Sequence, residues 1–243
     1  MIISRIHFGN FLNSLRFAVR NLQGCKQGNA ARPVTWFPYT FQTNNDRERA
    51  EIMIRIGVIV GSTRPGRKAL DVAKWVMEIA MLRNDAAYEL VDIQDFNLPL
   101  LDEPVPPSMG QYSKPHTKAW AAKIASYDGF VFVTPEYNHG ISGALKNAID
   151  FLFAEWNDKA AGFVGYGSAG GARAVESLRL VMGEIKIADV RAQVMLSLFS
   201  DFENYTTFKP GQHHEKSVTT MLDEVVSWSG ALRVVRERKQ AGA

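Results

Sequence analysis

The sequence predicts an α/β fold: a five-stranded parallel sheet, doubly wound, with helices on both faces in three layers and strand order 2-1-3-4-5. Three observations predict it. From residue 54 onward, short apolar runs alternate with amphipathic segments, the pattern of successive βαβ units. The runs are almost continuously apolar and rich in Val, Ile and Phe, as strands covered on both faces must be. There are five of them, which suits that order better than a six-stranded sheet.

The first strand is Ile54-Arg55-Ile56-Gly57-Val58-Ile59-Val60. It stops at Gly61-Ser62-Thr63-Arg64-Pro65-Gly66-Arg67-Lys68 and leads into a helix with Leu70, Ala73, Val76, Met77 and Ala80 on one face. A strand that empties through a Gly-rich turn into a helix N-terminus makes an anion site, because unbonded N–H groups and the helix dipole point at the guest. Arg64, Arg67 and Lys68 add charge there, so the expected guest carries a phosphate. Gly61 and Gly66 have Walker A spacing, but Arg67-Lys68 stands where Lys followed by Ser or Thr is required. The magnesium ligand is therefore missing and nucleotide hydrolysis is not expected. A solvated basic turn is the plainer alternative.

Residues 86–92 read as the second strand, followed by a proline-heavy loop, 96–110, of the length that functional lids and partner contacts have. Residues 112–126 predict a helix with Trp120 and Ile124 toward the sheet. The third strand, 128–134, leaves through Pro135-Glu136-Tyr137-Asn138-His139-Gly140, with Ser142 as cap of a helix over 143–153. A fourth strand, 162–166, leaves through Gly167-Ser168-Ala169-Gly170-Gly171 into a helix over 172–186. A fifth strand over 191–198, a loop over 202–211 and a closing helix over 215–238 complete the chain.

At 243 residues the chain is long enough to bury one full α/β core. Its 28 basic and 25 acidic residues are unevenly spread: residues 1–52 carry a net +4 and the remainder −1. The basic character belongs to that N-terminal extension, so no nucleic-acid footprint spreads over the fold. Its scattered arginines resemble an organelle transit segment, but Met53 directly precedes the first strand, so a mis-assigned start is the favoured explanation. Residues 53–240 form the expected domain. The single Cys25 excludes an internal disulfide and a cysteine zinc cluster, and suits a reducing cytoplasm. No apolar run is long enough to span a membrane. The adjacent His213 and His214 lack metal-ligand spacing and read as a solvated helix entrance, so no metal is expected.

The 2-1-3-4-5 order is flavodoxin-like and puts the ligand between the first and third strands. Residues 61–68 and 135–140 follow those two strands and carry the densest signals in the chain. Gly165 to Gly170 also matches G-x-G-x-x-G, but it follows the fourth strand and reads as a close backbone approach to the ligand. In the second loop Pro135 restrains the backbone and Tyr137 offers a face for a ring. N–H groups around Glu136–Asn138 offer donors to ring heteroatoms. FMN suits this arrangement, phosphate in the first loop and ring against the second. His139 reads as a solvated loop residue.

GSTRPGRK, FNLPLLDEP, PEYNHGISGALKNAIDFL and SAGGARA, in these positions, resemble the NAD(P)H-dependent FMN reductase family, which includes quinone, chromate and azo-dye reductases. The resemblance covers roughly residues 53–200. It implies noncovalent FMN, NADPH or NADH as co-substrate, and a homodimer or homotetramer. By position, Ser62 and Arg64 would hold the phosphate, with Arg67 and Lys68 as softer assignments. Pro135, Glu136, Tyr137 and Asn138 would line the isoalloxazine, and Ser168, Gly170 and Gly171 would sit at its other edge. Many relatives have Ser and Asn where this chain has Arg67 and Ala69. The implied mechanism is ping-pong hydride transfer from NAD(P)H to FMN and then to a quinone, free flavin, azo or metal-oxyanion acceptor. No catalytic side chain is assigned, since the flavin carries the chemistry. Arg64 or Arg67 is a further candidate for the 2′-phosphate of NADPH. The alternative is a flavodoxin-type electron carrier that binds FMN without efficient nicotinamide turnover. The Pro-rich loop and the apolar series Leu145, Ile149, Leu152, Phe153 and Trp156 suggest an interface between copies, or else a completed core.

Overall fold

The computed structural model describes residues 53–242; the expectations placed on residues 1–52, Cys25 included, lie outside them. The elements run β1 (Ile54–Val60), α1 (Ala69–Ala80), β2 (Ala86–Asp92), α2 (Pro115–Ala125), β3 (Gly129–Pro135), α3 (Gly143–Asp150), β4 (Lys159–Gly167), α4 (Ala172–Glu184), β5 (Ile187–Ser197), a hairpin of β6 (Phe202–Glu203) and β7 (Thr207–Phe208), and α5 (His213–Ala241). The sheet order is β2-β1-β3-β4-β5, every pairing parallel, as expected.

Alternation along the strands builds two cores. Val58, Val60, Val131, Val133 and Val164 face α1 and α5, where Val72, Val76, Met221 and Val225 are buried. Ile59, Phe130, Phe132 and Phe163 face α2, α3 and α4, and pack with Trp120, Trp156, Leu145 and Leu178. The two indoles are anchored by donation, Trp120 Nε1 to the Ala148 carbonyl at 2.7 Å and Trp156 Nε1 to the Ile149 carbonyl at 3.1 Å. Buried indoles with a partner of this kind add apolar area without an orphaned N–H.

Leu145, Ile149, Leu152 and Trp156 therefore complete this core rather than an interface between copies, and Phe153 packs half-buried against it. They lie on the sheet-facing side of α3 and the turn after it, so no apolar surplus remains there. The exposed apolar residues of this region sit instead on the Pro-rich loop, at Leu100, Leu101 and Met109. Asn147 fastens that loop to α3, donating to the Pro99 carbonyl at 2.7 Å and accepting from the Leu101 N–H at 3.0 Å.

Several boundaries differ from the sequence reading. α2 begins at Pro115 because proline suits the first helical turn and holds Lys114 extended. β4 begins three residues earlier than its apolar run, at Lys159. The ammonium of that lysine is hidden and donates to the Ile124 and Ala125 carbonyls at the end of α2. The loop over 202–211 contains the β6–β7 hairpin, held by Phe202 against Phe208 and Tyr166.

Candidate functional site

Three loops leave the carboxyl ends of β1, β3 and β4 at the strand-order reversal. In the first, the Gly61 N–H donates to the Val133 carbonyl at 2.8 Å, and a Cβ on Gly61 would stand 2.6 Å from that oxygen. Glycine is required for the two strand exits to lie this close. Ser62 is buried, with Oγ 3.2 Å from the Tyr137 phenol oxygen and 3.4 Å from the Arg64 N–H that donates to it. Arg64 is exposed, its guanidinium 5.9 Å from the Tyr137 ring centroid. Among the described residues no side chain caps α1, and Val72 is the first helical residue to donate back along the helix, to the Lys68 carbonyl at 3.1 Å. The first turn thus presents unbonded donors and the positive end of the dipole.

Arg67 departs from the expected anion-facing role. Its guanidinium donates to the Asp92 carboxylate, the Gln94 amide oxygen and, at 2.8 Å, the Ser62 carbonyl. Its side chain is only 11% exposed and Asp92 neutralises it. It braces the loop from behind, and the exposed charge at the mouth is that of Arg64, with Lys68 half-buried beside it.

In the second loop Tyr137 and Gly140 exchange both backbone bonds, at 3.0 and 3.1 Å, around Asn138 and His139 with φ of 46° and 75°. That is a type I′ turn, for which Asn is well suited. The Glu136 N–H donates to the Tyr166 carbonyl at 2.9 Å. The Glu136 and Tyr137 amides, expected as free donors, are thus engaged, and Asn138 and His139 stand exposed at the tip. The Glu136 carboxylate also turns away from the mouth. Its side chain is 3% exposed, accepts the Arg173 N–H at 3.1 Å and pairs with the Arg173 guanidinium. It caps α4, whose N-cap residue Gly171 has no side chain to do so. Burial raises the Glu136 carboxyl, but Arg173 overrides it and holds the group below its ordinary value.

In the third loop Ser168 is exposed, while Gly170 and Gly171 are buried at positive φ. A Cβ on Gly171 would stand 2.5 Å from the Tyr166 nitrogen. Of the G-x-G-x-x-G glycines themselves, a Cβ on Gly165 would stand 2.9 Å from the Gly171 carbonyl and one on Gly170 3.0 Å from the Met195 Cβ, so the close approach the motif permits is to the chain's own loop and neighbouring strand. Tyr166 is not among the candidates the sequence motifs name, although a phenol inside a doubly covered strand signals a polar atom in need of a partner. Its hydroxyl is buried without a hydrogen-bond partner among the described residues.

Beside the first loop, on the α3 side, an open cleft of about 330 Å³ is lined by Thr63, Ile93, Gln94, Asn97, Leu98, Ala144, Asn147 and Ala148, none of them charged. His214 is not solvated as expected: it is buried against Asp201, 3.0 Å away, while His213 is exposed. Asp201 is held there by the Ser197 and Gly211 N–H groups. Among the described residues no group of three or more His, Cys, Asp or Glu side chains is placed to hold a metal, and no helix is long and apolar enough to cross a membrane.

A doubly wound 2-1-3-4-5 sheet with its loops gathered at the switch point defines a flavodoxin-like protein. Known proteins narrow the class. The family model described as NADPH-dependent FMN reductase matches residues 54–201. The chain is 42% identical over 175 residues to the NAD(P)H-dependent FMN reductase ntnL of Nectria sp, covering 68% of this chain and 86% of that one. It is 36% identical over 137 residues to the NAD(P)H:quinone oxidoreductase of Solanum tuberosum, covering 54% and 69%. The solved structure of FerB, a flavoenzyme NAD(P)H:(acceptor) oxidoreductase of Paracoccus denitrificans, shares the fold at TM-score 0.58 and 21% identity, covering 72% of this chain and 97% of that one. The chain belongs to the NADPH-dependent FMN reductase family. It is an oxidoreductase with FMN as cofactor and NAD(P)H as co-substrate. The residues present fit the charged end of FMN, since an uncapped helix start, the exposed Arg64 and an unpartnered buried hydroxyl all call for an anion.

Proposed function

We propose that this enzyme reduces a small-molecule acceptor, with a quinone as the leading candidate, by ping-pong use of one FMN site. The observation that carries this reading is the meeting of three loops at the switch point, one with an uncapped helix start and one with a half-buried tyrosine. When bound, FMN would supply the redox chemistry that links the nicotinamide to the acceptor. The protein's share is binding and orientation. Ser62, Arg64, Lys68 and the first N–H groups of α1 hold the phosphate, and Arg67 keeps that loop in shape from behind. Pro135, Tyr137 and Asn138 line the ring while Glu136 fixes their loop to α4. Ser168, Gly170 and Gly171 border the ring's other edge. The relatives named quinone reductase support the acceptor class. We place the reaction in the cytoplasm, in a homodimer or homotetramer whose contact includes the exposed Pro-rich loop, and assign the activity to residues 53–240.

A visible spectrum of the purified protein followed by anaerobic NADPH and NADH tests the reading. Flavin bands that bleach with a reduced nicotinamide and return with a quinone are expected. Bands that persist with both nicotinamides would make this a flavodoxin-type electron carrier. Absence of flavin after reconstitution with FMN would remove the proposal.

A further inference from the structure

Tyr166 touches all three loops. Its carbonyl accepts the Glu136 N–H of the second loop, and its backbone nitrogen is where Gly171 of the third loop packs. Its phenol reaches under the first loop, against the Ala69 N–H at the start of α1 and near Arg64, Arg67 and Tyr137. The residue is 5% exposed. Burial, and then the neighbouring Tyr137, push the phenol above its ordinary value, so it stays protonated at neutral pH and is an O–H donor.

That donor has no acceptor among the described residues. The other polar groups nearby are engaged: Ser62 Oγ lies between the Tyr137 hydroxyl and the Arg64 N–H, and Arg67 is held by Asp92. Ala69 supplies no side-chain donor. A buried hydroxyl without a partner is costly to keep, so its partner is best sought in what the site binds. The Pro65–Gly66 tip of the first loop is exposed, and among the described residues a Cβ on Gly66 would meet nothing within 4 Å.

We propose that Tyr166 completes the phosphate end of the site, its oxygen facing the Ala69 N–H and its O–H donating to the anion seated on the first turn of α1. This rests on the FMN reading above and adds a residue to it.

The experiment compares wild type with Tyr166→Phe, both stripped of flavin and titrated with FMN and with riboflavin, which lacks the phosphate. The expected result is an FMN Kd weaker by about tenfold or more, as for a lost hydrogen bond to a charged group, with riboflavin affinity unchanged. The melting temperature of the flavin-free variant should change little, because the deleted hydroxyl has no acceptor among the described residues and only the Ala69 N–H against its oxygen. Equal FMN affinity in the two proteins overturns the proposal, and so does parallel weakening of FMN and riboflavin, which marks a merely structural role. Wild type that binds FMN no better than riboflavin would instead sink the FMN reading on which it rests. Should the variant melt well below wild type, 3-fluorotyrosine-labelled wild type supplies the answer. A solvent-shielded 19F resonance must shift with FMN and inorganic phosphate but not with riboflavin, and its absence overturns the proposal.

Discussion

The Glu136 carboxylate links two loops through a single side chain, taking the Arg173 N–H and guanidinium at the start of α4. Its pKa is held below the ordinary 4.5 by Arg173 against the effect of burial. Its contribution is therefore present above about pH 4.5 and is lost as pH falls through the lowered value. Glu136→Gln should cost about 1–2 kcal/mol at pH 7, from a weakened charge-assisted bond at a helix N-terminus. Denaturant titrations from pH 7 to 3 should show the difference between variant and wild type closing toward the acid end. A gap that stays constant with pH would assign the loss to packing. Glu136 and Arg67 were both legible as charged residues of the switch-point loops, but the groups they pair with were not. Each has its charge matched by a partner far along the chain, Arg173 or Asp92, and only the fold brings those partners in.

Among the elements, α3 shows how a local cap also serves the site. Ser142 Oγ accepts the Leu145 N–H at 3.1 Å, as its position before the helix predicts. The same hydroxyl donates to the Gly61 carbonyl at 2.6 Å, across 81 residues of sequence. Ser142→Ala removes the cap and leaves a buried carbonyl without its donor. We expect a loss of about 1–2 kcal/mol, or several degrees in Tm, with weaker FMN binding because the first loop loses its tie to α3. Thermal melts with and without FMN check this, and unaltered FMN affinity would show that the tie does not matter to the site. The cap was legible because capping is local. The second bond was not, because it belongs to the meeting of two strand exits.

For the whole molecule, the opposite end of the sheet is closed by charge. Asp128 receives both Arg233 and Arg236 from α5, gathering the starts of β1 and β3 onto the last helix. Lys159 lies beside them with its ammonium on the Ile124 and Ala125 carbonyls. Burial, then repulsion from Arg236, lower its pKa from 10.5 to about 7, against the pull of Asp128 and Glu155. Between those two values the unfolded chain binds more protons than the folded one, so stability should rise with pH across that window. The rise due to Lys159 is at most about 1.4 kcal/mol per pH unit. Lys159→Met should flatten it, as urea unfolding from pH 7 to 9 would reveal. An unchanged slope would mean that the amine is not the titrating group.

By itself the sequence determined the five strands of the main sheet, their order, the two loops at its switch point and the family, because alternation, glycine placement and continuous motifs are local properties of the chain. Tertiary structure alone decided which of the named polar groups face the ligand mouth and which support it. It turned Arg67 and Glu136 inward, filled the core with the apolar side of α3, buried His214 on Asp201 and brought the Tyr166 phenol beneath α1. The physical reason is that a buried charged group is oriented by its partner, and only the fold brings Asp92, Arg173 and Asp201 to Arg67, Glu136 and His214.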